Sequence, residues 1–507
     1  MQRILCGAAI LFTLALLCGG AGAAEPARKP NVVFFLGDDL GRGDLGCNGQ
    51  KKIRTPNIDR LAASGVRLTQ HYSGNAVCAP SRCVLMTGLH PGHAFIRDNR
   101  GMKPEGQFPI PAETVTLGKL LQSAGYTTGA FGKWGLGPME SSGDPLRQGI
   151  DRFFGYNCQS VAHNFYPVSL WNNGERQKLD NAEINAHAPL PAGADPADPR
   201  SYGGRQYAPD LIAEQARAFV RDNQSRPFFL FFPTTVPHLA LQVPEDSLAE
   251  YRGKFPETPY DASRGYLPHP TPRAAYAAMV TRMDREIGRI VDLIAELGLT
   301  DDTIFIFSSD NGAAEDGVGG TDSAFFESSG EQRGRKGSLY EGGVRAPGIV
   351  SWRGHFKPGT TNDRVTGFED WLPTILDLIG AAGATPKNLD GISFGPTLLG
   401  KPQPPREFLY REFPGYGGQQ SIRVGDWKAI RRNLGGKKGA QAANSPAADS
   451  KIELYNLADD PREAKDVAGA NPEVVARLTK LMLEQHVPSQ DFPMPALDRE
   501  SVQPQKE

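Results

Sequence analysis

Three short segments carry side chains whose chemistry depends on one another. Asp38-Asp39 and Asp310-Asn311 each follow an apolar run, and Cys78 lies between them in the chain. Adjacent carboxylates at a strand end repel unless a cation sits between them. Hard oxygen ligands favour Ca²⁺ or Mg²⁺ over zinc. Either acidic segment alone reads as a solvated turn or cap, the usual role of Asp-Asn-Gly. Two of them at equivalent strand ends, with the cysteine segment between, point to a divalent-cation site. The third segment is Cys78-Ala79-Pro80-Ser81-Arg82, followed by Cys83-Val84-Leu85-Met86-Thr87-Gly88. A thiol before a Pro-containing turn, then a fixed Arg, then a short apolar helix start is rare by chance. Read alone, it is also compatible with a structural cysteine at a helix start.

The Cys78 run resembles the signature C-x-P-S-R of the type I sulfatases, within the alkaline phosphatase superfamily, with its downstream Leu-x-Thr-Gly element. The resemblance extends over nearly the whole mature chain. It includes Gly37-Asp38-Asp39, Thr55-Pro56-Asn57-Ile58-Asp59-Arg60-Leu61-Ala62, Gly132-Lys133-Trp134-Gly135-Leu136-Gly137 and Pro237-His238. It continues through Ser309-Asp310-Asn311-Gly312, the segment from Arg335-Lys336-Gly337 to Arg345, and the closing Glu453-Leu454-Tyr455-Asn456-Leu457 and Asp460-Pro461. The resemblance implies that a maturing enzyme oxidises Cys78 to formylglycine, whose hydrate is the nucleophile. It further implies that Asp38, Asp39, Asp310, Asn311 and modified Cys78 hold a metal, normally Ca²⁺ and less commonly Mg²⁺. Arg82 would brace the formylglycine, Lys133 and Lys336 would bind the sulfate, and His238 would protonate the leaving oxygen.

The physical chemistry agrees with that assignment. The charge on a sulfate ester repels nucleophiles, so a divalent cation with Lys133, Lys336 and Arg82 would neutralise the nonbridging oxygens. A helix starting at Cys78 would add favourable partial charge. The near-neutral pKa of histidine suits His238 to proton donation. Taken singly, Lys133 and Lys336 read equally as surface charges and Pro237-His238 as a turn. The chain departs from the family at Gly135, where many relatives have a His that is a candidate base. His90 or His93 is one substitute, and a structural role is the alternative for both. Arg97-Asp98-Asn99-Arg100 is a further segment within reach of a substrate.

These residues need a scaffold that brings strand ends together. Asn31–Leu36, Phe228–Phe232 and Thr303–Ser309 are continuous apolar runs, as expected of central strands in a covered, mostly parallel sheet. Thr127–Phe131 and Val66–Tyr72 read as further strands. Leu211–Val220 reads as a helix. Ala274–Leu297 is the clearest one, with Met279, Met283, Ile287, Ile290, Ile294 and Leu297 on one face and Gly298 at its end. Strand and helix alternate, so the fold class is α/β with a doubly wound sheet and its ligand site at the carboxyl ends of the strands. The catalytic domain spans 28–398. A smaller domain at 399–490 reads as an antiparallel sheet with a helix from Pro472. Its Gly-, Ala- and Ser-rich segment 435–450 reads as a flexible loop, and 491–507 as a disordered tail.

Residues 1–23 read as a secretory signal peptide, with Arg3, the apolar stretch Ile4–Leu17 and the small residues Ala21-Gly22-Ala23. Ala15-Leu16-Leu17 before Cys18 fits a lipoprotein signal poorly. No other stretch is long and apolar enough to cross a membrane. A net charge of −2 over 507 residues argues against a nucleic-acid partner. With Cys6 and Cys18 removed and Cys78 converted, Cys47, Cys83 and Cys158 allow at most one disulfide. The expectation is an exported periplasmic or extracellular sulfatase, lysosomal if eukaryotic, depending on a formylglycine-generating enzyme. Tyr156, His163, Tyr166, Trp171 and Asn172 suit sugar stacking or hydrogen bonding, or else the packing of a loop. They favour a sulfated carbohydrate, of galactose or N-acetylgalactosamine type, over an aryl sulfate as the natural substrate. The alternatives are a phosphoester or phosphonate hydrolase of the same superfamily and an inactive polysaccharide-binding protein.

Overall fold

The computed structural model describes residues 28–435 and 451–502, apart from 188–189, 191–194, 196–197, 199–200 and 202. The expected signal peptide, nearly all of the 435–450 loop, and residues 503–507 lie outside the described residues.

The apolar runs form the centre of a ten-stranded sheet. Five neighbouring strands form its parallel centre: β1 (Asn31–Gly37), β2 (Thr127–Lys133), β3 (Arg152–Tyr156), β4 (Phe228–Pro233) and β5 (Thr303–Ser309). Their spatial order is β5-β1-β4-β2-β3. β6 (Gly348–Ser351) lies antiparallel beside β5. Continuous apolar sequence is required here because both faces are covered. Val33 and Phe35 enter one core, whereas Val32, Phe34 and Leu36 enter the other. The helices Ala208–Asp222 and Pro272–Glu296 cover the first face, and Cys78–Thr87 and Trp371–Leu378 cover the second. Met279, Met283, Ile287, Ile290 and Ile294 are all buried, so the helical stripe is core. Each such side chain stabilises the fold by about 1.5–3 kcal/mol relative to exposure.

The smaller unit is a four-stranded antiparallel meander of β7 (Leu409–Phe413), β8 (Gln419–Val424), β9 (Trp427–Arg432) and β10 (Glu453–Asn456). The helix Pro472–Glu484 covers it through Leu478 and Met482. The chain past Asp491 departs from the expected disorder, because a helix forms at Pro495–Val502. Phe492, Met494 and Leu497 are buried, and Asp498 faces His486 at 3.0 Å. Three apolar anchors at short spacing outweigh the proline and charge that made this segment look unstructured. No helix among the described residues is long and apolar enough to cross a membrane. Cys47, Cys78, Cys83 and Cys158 are all free thiols.

Candidate active site

Strand register assembles the site. β1 and β5 end on the pair Gly37–Ser309, so Asp38 and Asp310 emerge side by side. β2 ends at Lys133, and β4 leads through Val236-Pro237 to His238. These strands are neighbours, and their carboxyl ends are where α/β sheets bind ligands. Asp39 has a positive φ of 65°, a strained conformation for a non-glycine residue that recurs at functional sites. Asn311 Nδ2 donates to Asp39 Oδ1 at 2.7 Å, and the Asp39 amide donates to Asp310 Oδ1 at 3.2 Å.

Cys78 is the first residue of the Cys78–Thr87 helix, every residue of which is buried. Gly88, at φ 70°, ends the helix in the left-handed conformation open to glycine. Helical spacing turns Arg82 back toward the strand ends. Its Nε and Nη2 donate to Asp310 Oδ2 at 3.0 and 2.9 Å, and its Nη1 donates to the Lys133 carbonyl. Cys78 Sγ lies 3.5 Å from Asp38 Oδ1 and 3.7 Å from Lys336 Nζ. Lys133 Nζ donates to Asp38 Oδ2 at 2.6 Å, and Lys336 Nζ to Asp39 Oδ2 at 2.8 Å. Lys336 Nζ is also 3.0 Å from His238 Nε2, while His238 Nδ1 donates to the Leu239 carbonyl at 2.6 Å.

Lys336 arrives on a loop braced by the smaller unit. Gln419 of β8 donates to the Gly337 carbonyl at 2.7 Å and accepts from the Leu339 amide at 3.0 Å. Lys428 of β9 bonds Glu341 at 2.8 Å and Glu463 at 2.9 Å, with all three side chains buried. The small sheet therefore positions one of the site's cations.

The electrostatics follow from burial and charge. Burial pushes the Cys78 thiol up to about 12, against the pull of Lys133 and Lys336. An unmodified Cys78 is thus a poor thiolate nucleophile. Burial and then Asp38 raise Asp310, against Arg82. Burial opposes the Lys336 charge, but Asp39, Cys78 and Asp38 outweigh it and hold its pKa well above the usual value. Burial, His163, Lys336 and Lys133 hold His238 well below the usual histidine range. His163 stacks on His238, with centroids 4.0 Å apart.

The donors suit a hard cation. Ligand atoms of Asp38, Asp39, Cys78 and His238 lie within 4.8 Å of one another. Asn311 Oδ1 is buried and has no hydrogen-bonding partner among the described residues. An orphaned amide oxygen beside three carboxylates is what an oxygen-ligated ion would use.

Every residue assigned from sequence to the catalytic and metal set meets here. Most of the secondary candidates do not. His90 and His93 stack on each other and face Asp390, His93 Nδ1 at 2.9 Å and His90 Nε2 at 3.7 Å. They serve the packing of that corner and supply no base to Cys78. Arg97 is spent on Glu412 at 2.6 Å, and Arg100 faces Asp491 at 3.3 Å. Asn99 accepts from the Ala79 amide at 3.0 Å and so touches the first turn of the Cys78 helix. Tyr156 and Tyr166 belong to the core, Tyr156 donating to the Asn164 carbonyl at 2.7 Å. Trp171 bonds Glu105 at 3.0 Å, and Asn172 bonds Gln177 at 3.1 Å. Of that group only His163 approaches the site. Tyr266, 6.1 Å from the His238 ring, escaped notice in the sequence because nothing in its surroundings marks it.

Comparison with known proteins agrees with this geometry. The sulfatase family model matches residues 30–381, and a model described as N-sulphoglucosamine sulphohydrolase, C-terminal, matches 334–487. The second match begins just before the Lys336 loop that the small sheet holds. The chain is 34% identical to arylsulfatase A of Homo sapiens, covering 92% of this chain and 90% of that protein. It is 29% identical to the N-acetylgalactosamine-6-O-sulfatase of Bacteroides thetaiotaomicron, covering 90% and 93%. A solved B. thetaiotaomicron structure, from a locus for metabolism of multiple glycosaminoglycans, superposes with a TM-score of 0.70 at 28% identity, covering 90% of this chain and 99% of that one. The structure of Ps i-CgsB in complex with k-i-k-neocarrahexaose gives 0.73 at 25% identity, covering 94% and 98%. The chain belongs to the sulfatase family and is a sulfuric ester hydrolase.

Proposed function

We propose that this enzyme removes sulfate from a sulfated carbohydrate at the carboxyl ends of β1, β2, β4 and β5, using formylglycine made from Cys78 and a bound Ca²⁺. The observation that carries the reading is the convergence of Lys133, Lys336 and Arg82 on three buried carboxylates around Cys78 Sγ. The carbohydrate assignment is supported by the N-acetylgalactosamine-6-O-sulfatase among its relatives and the neocarrahexaose complex among its structural neighbours. When present, formylglycine supplies a hydrated aldehyde as nucleophile and Ca²⁺ supplies charge neutralisation.

The chain's own residues supply the rest. Lys133 and Lys336 hold the nonbridging sulfate oxygens, and Arg82 fixes Asp310 and the helix bearing residue 78. Their charges are set before substrate arrives, so no reorganisation is needed as the transition state forms. His238 keeps its proton on Nδ1, held by the Leu239 carbonyl, so Nε2 is an acceptor facing the Lys336 ammonium. The proton for the leaving oxygen therefore comes from the Lys336 ammonium, which His238 Nε2 orients by accepting one of its hydrogens. We further propose that the protein is exported behind residues 1–23 and matured by a formylglycine-generating enzyme.

Peptide mass spectrometry of the segment from Leu68 to Arg82, on protein from a modification-competent host, tests the nucleophile. A loss of about one water with aldehyde reactivity is expected. An alkylatable thiol under those conditions would remove the reading's central atom and favour a polysaccharide-binding role. Paired turnover of a sulfate ester and its phosphate and phosphonate analogues tests the reaction. A large preference for either analogue would make the enzyme a phosphoester or phosphonate hydrolase instead.

A further inference from the structure

Past β3 the chain turns so that Gln159 lies over Gly135. Gly135 has φ 83°, and a Cβ there would sit 2.9 Å from Gln159 Nε2 and 3.8 Å from Arg82 Cδ. The Gln159 carboxamide thus occupies the space that a side chain at position 135 would fill, beside the stem of Arg82. Gln159 is only 4% exposed, yet neither Nε2 nor Oε1 has a hydrogen-bonding partner among the described residues. Leaving a buried amide unpaired is destabilising, and such groups in folded proteins require an explanation.

A merely structural glutamine looks different in this same protein. Gln420 is fully buried, and its Nε2 donates to Tyr410 Oη at 2.6 Å and the Met482 carbonyl at 2.9 Å, while its Oε1 accepts from Arg431 at 2.7 Å. Gln159 also has company. Asn157 Oδ1 and Thr235 Oγ1 are buried and unpartnered among the described residues. Asn157 follows β3 and Thr235 follows β4, the two strands flanking β2, which ends at Lys133. Unpaired polar groups therefore flank Lys133 at the ends of the two neighbouring strands.

We infer that Gln159 is a substrate-contacting residue whose Nε2 donates a hydrogen bond to a nonbridging oxygen of the sulfate group held beside Lys133 and Arg82. The inference rests on the anion-binding role proposed above for that cluster. An amide suits the position because it adds a donor without adding a charge to a site where three cations already match three carboxylates. Gly135 is then part of the same device, since only a residue without a side chain leaves the carboxamide its place.

The test compares the matured full-length enzyme with its Gln159→Leu and Gln159→Glu variants. Inorganic sulfate is titrated calorimetrically into each, and KM, kcat and melting temperature are measured with an activated aryl sulfate. Gln159→Leu is expected to weaken sulfate binding and raise KM by about 10- to 100-fold, the range of one hydrogen bond to a charged group. Gln159→Glu is expected to weaken both further, because it sets a carboxylate against the anion. The melting temperature of Gln159→Leu should equal or exceed that of the parent, because an unpartnered amide has been removed. Sulfate binding unchanged in Gln159→Leu would overturn the inference, as would failure of both variants to fold, which would make the residue structural. A parent that neither binds sulfate nor cleaves sulfate esters would instead overturn the reading of the site as a whole.

Discussion

Lys336→Met is the substitution that separates the three jobs assigned to one ammonium. Met preserves much of the stem's volume and removes the charge. Lys336 Nζ now touches Asp39 at 2.8 Å, His238 Nε2 at 3.0 Å and Cys78 Sγ at 3.7 Å. Losing a preorganised donor to the developing charge costs about 10²–10³ in turnover. Losing the proton that Lys336 gives to the leaving oxygen costs about a further 10² or more, but only when the leaving group needs an acid. Kinetic assays on two substrates should therefore split. For an activated aryl sulfate kcat/KM should fall about 10²–10³-fold, and for a sugar sulfate substantially more. The third consequence has the opposite sign. Lys336 Nζ lies 2.8 Å from Asp39 Oδ2, one of the carboxylates that would hold the cation, so removing its like charge lowers the repulsion a cation meets there. Calcium titration followed by thermal shift should accordingly show tighter binding in the variant, by tenfold or more. Equal losses on both substrates would refute Lys336 as the source of the leaving group's proton. Unchanged or weaker calcium binding would refute the charge balance argued for the site.

Acidification should destabilise the fold through His71. It is fully buried with its pKa pushed down to about 3 by burial, and Trp371 Nε1 donates to its Nε2 at 3.2 Å. The unfolded chain takes up the proton first, so stability falls as pH drops from about 6.5 toward 3, by up to about 1.4 kcal/mol per pH unit. Denaturant titrations between pH 7 and 5 should show that slope reduced in His71→Gln. Glu369→Ala should cost about 3–5 kcal/mol, because Glu369 pairs with Arg411 at 3.0 Å and Arg406 at 2.8 Å inside the protein; a melting temperature equal to the parent's would contradict it. Truncation after residue 490 should lower the melting temperature, since Phe492, Met494 and Leu497 are buried and each is worth about 1.5–3 kcal/mol. A truncated chain as stable as the parent would restore the view of that segment as a loose tail.

What could be read from the sequence, and what could not, divides along a physical line. Asn31–Gly37 and Thr303–Ser309 announce themselves because a strand covered on both faces must be apolar at every position. The acidic residues after them announce themselves because carboxylates at the ends of such strands need a reason to be there. Local sequence thus carried the parallel sheet and the small antiparallel sheet, and the family resemblance named the residues that meet at the strand ends. It failed where the decisive partner is distant. Tyr156 and Tyr166 have the chemistry to stack on a sugar, and only the three-dimensional core explains why they do not. The helix at Pro495–Val502 depends on anchors buried against the rest of the fold, not on its own propensity.

The same line runs through the site itself. Which groups can ionise is legible in sequence, because residue type alone sets it. Protonation and pairing are not, because they depend on which atoms meet. The Leu239 carbonyl that fixes the tautomer of His238 is one residue away, yet nothing in Pro-His-Leu predicts that contact. The loop that carries Lys336 is held at Gly337 and Leu339 by Gln419, 83 residues beyond Lys336 in the smaller sheet, which the spacing of motifs cannot reveal. Gln159 is the extreme case, since an amide among apolar and small neighbours has no signature until its lack of partners is seen. Residue types therefore identify the reaction this chain can perform. The partners those residues find, and the few they do not, determine which proton moves and which substrate oxygen is held.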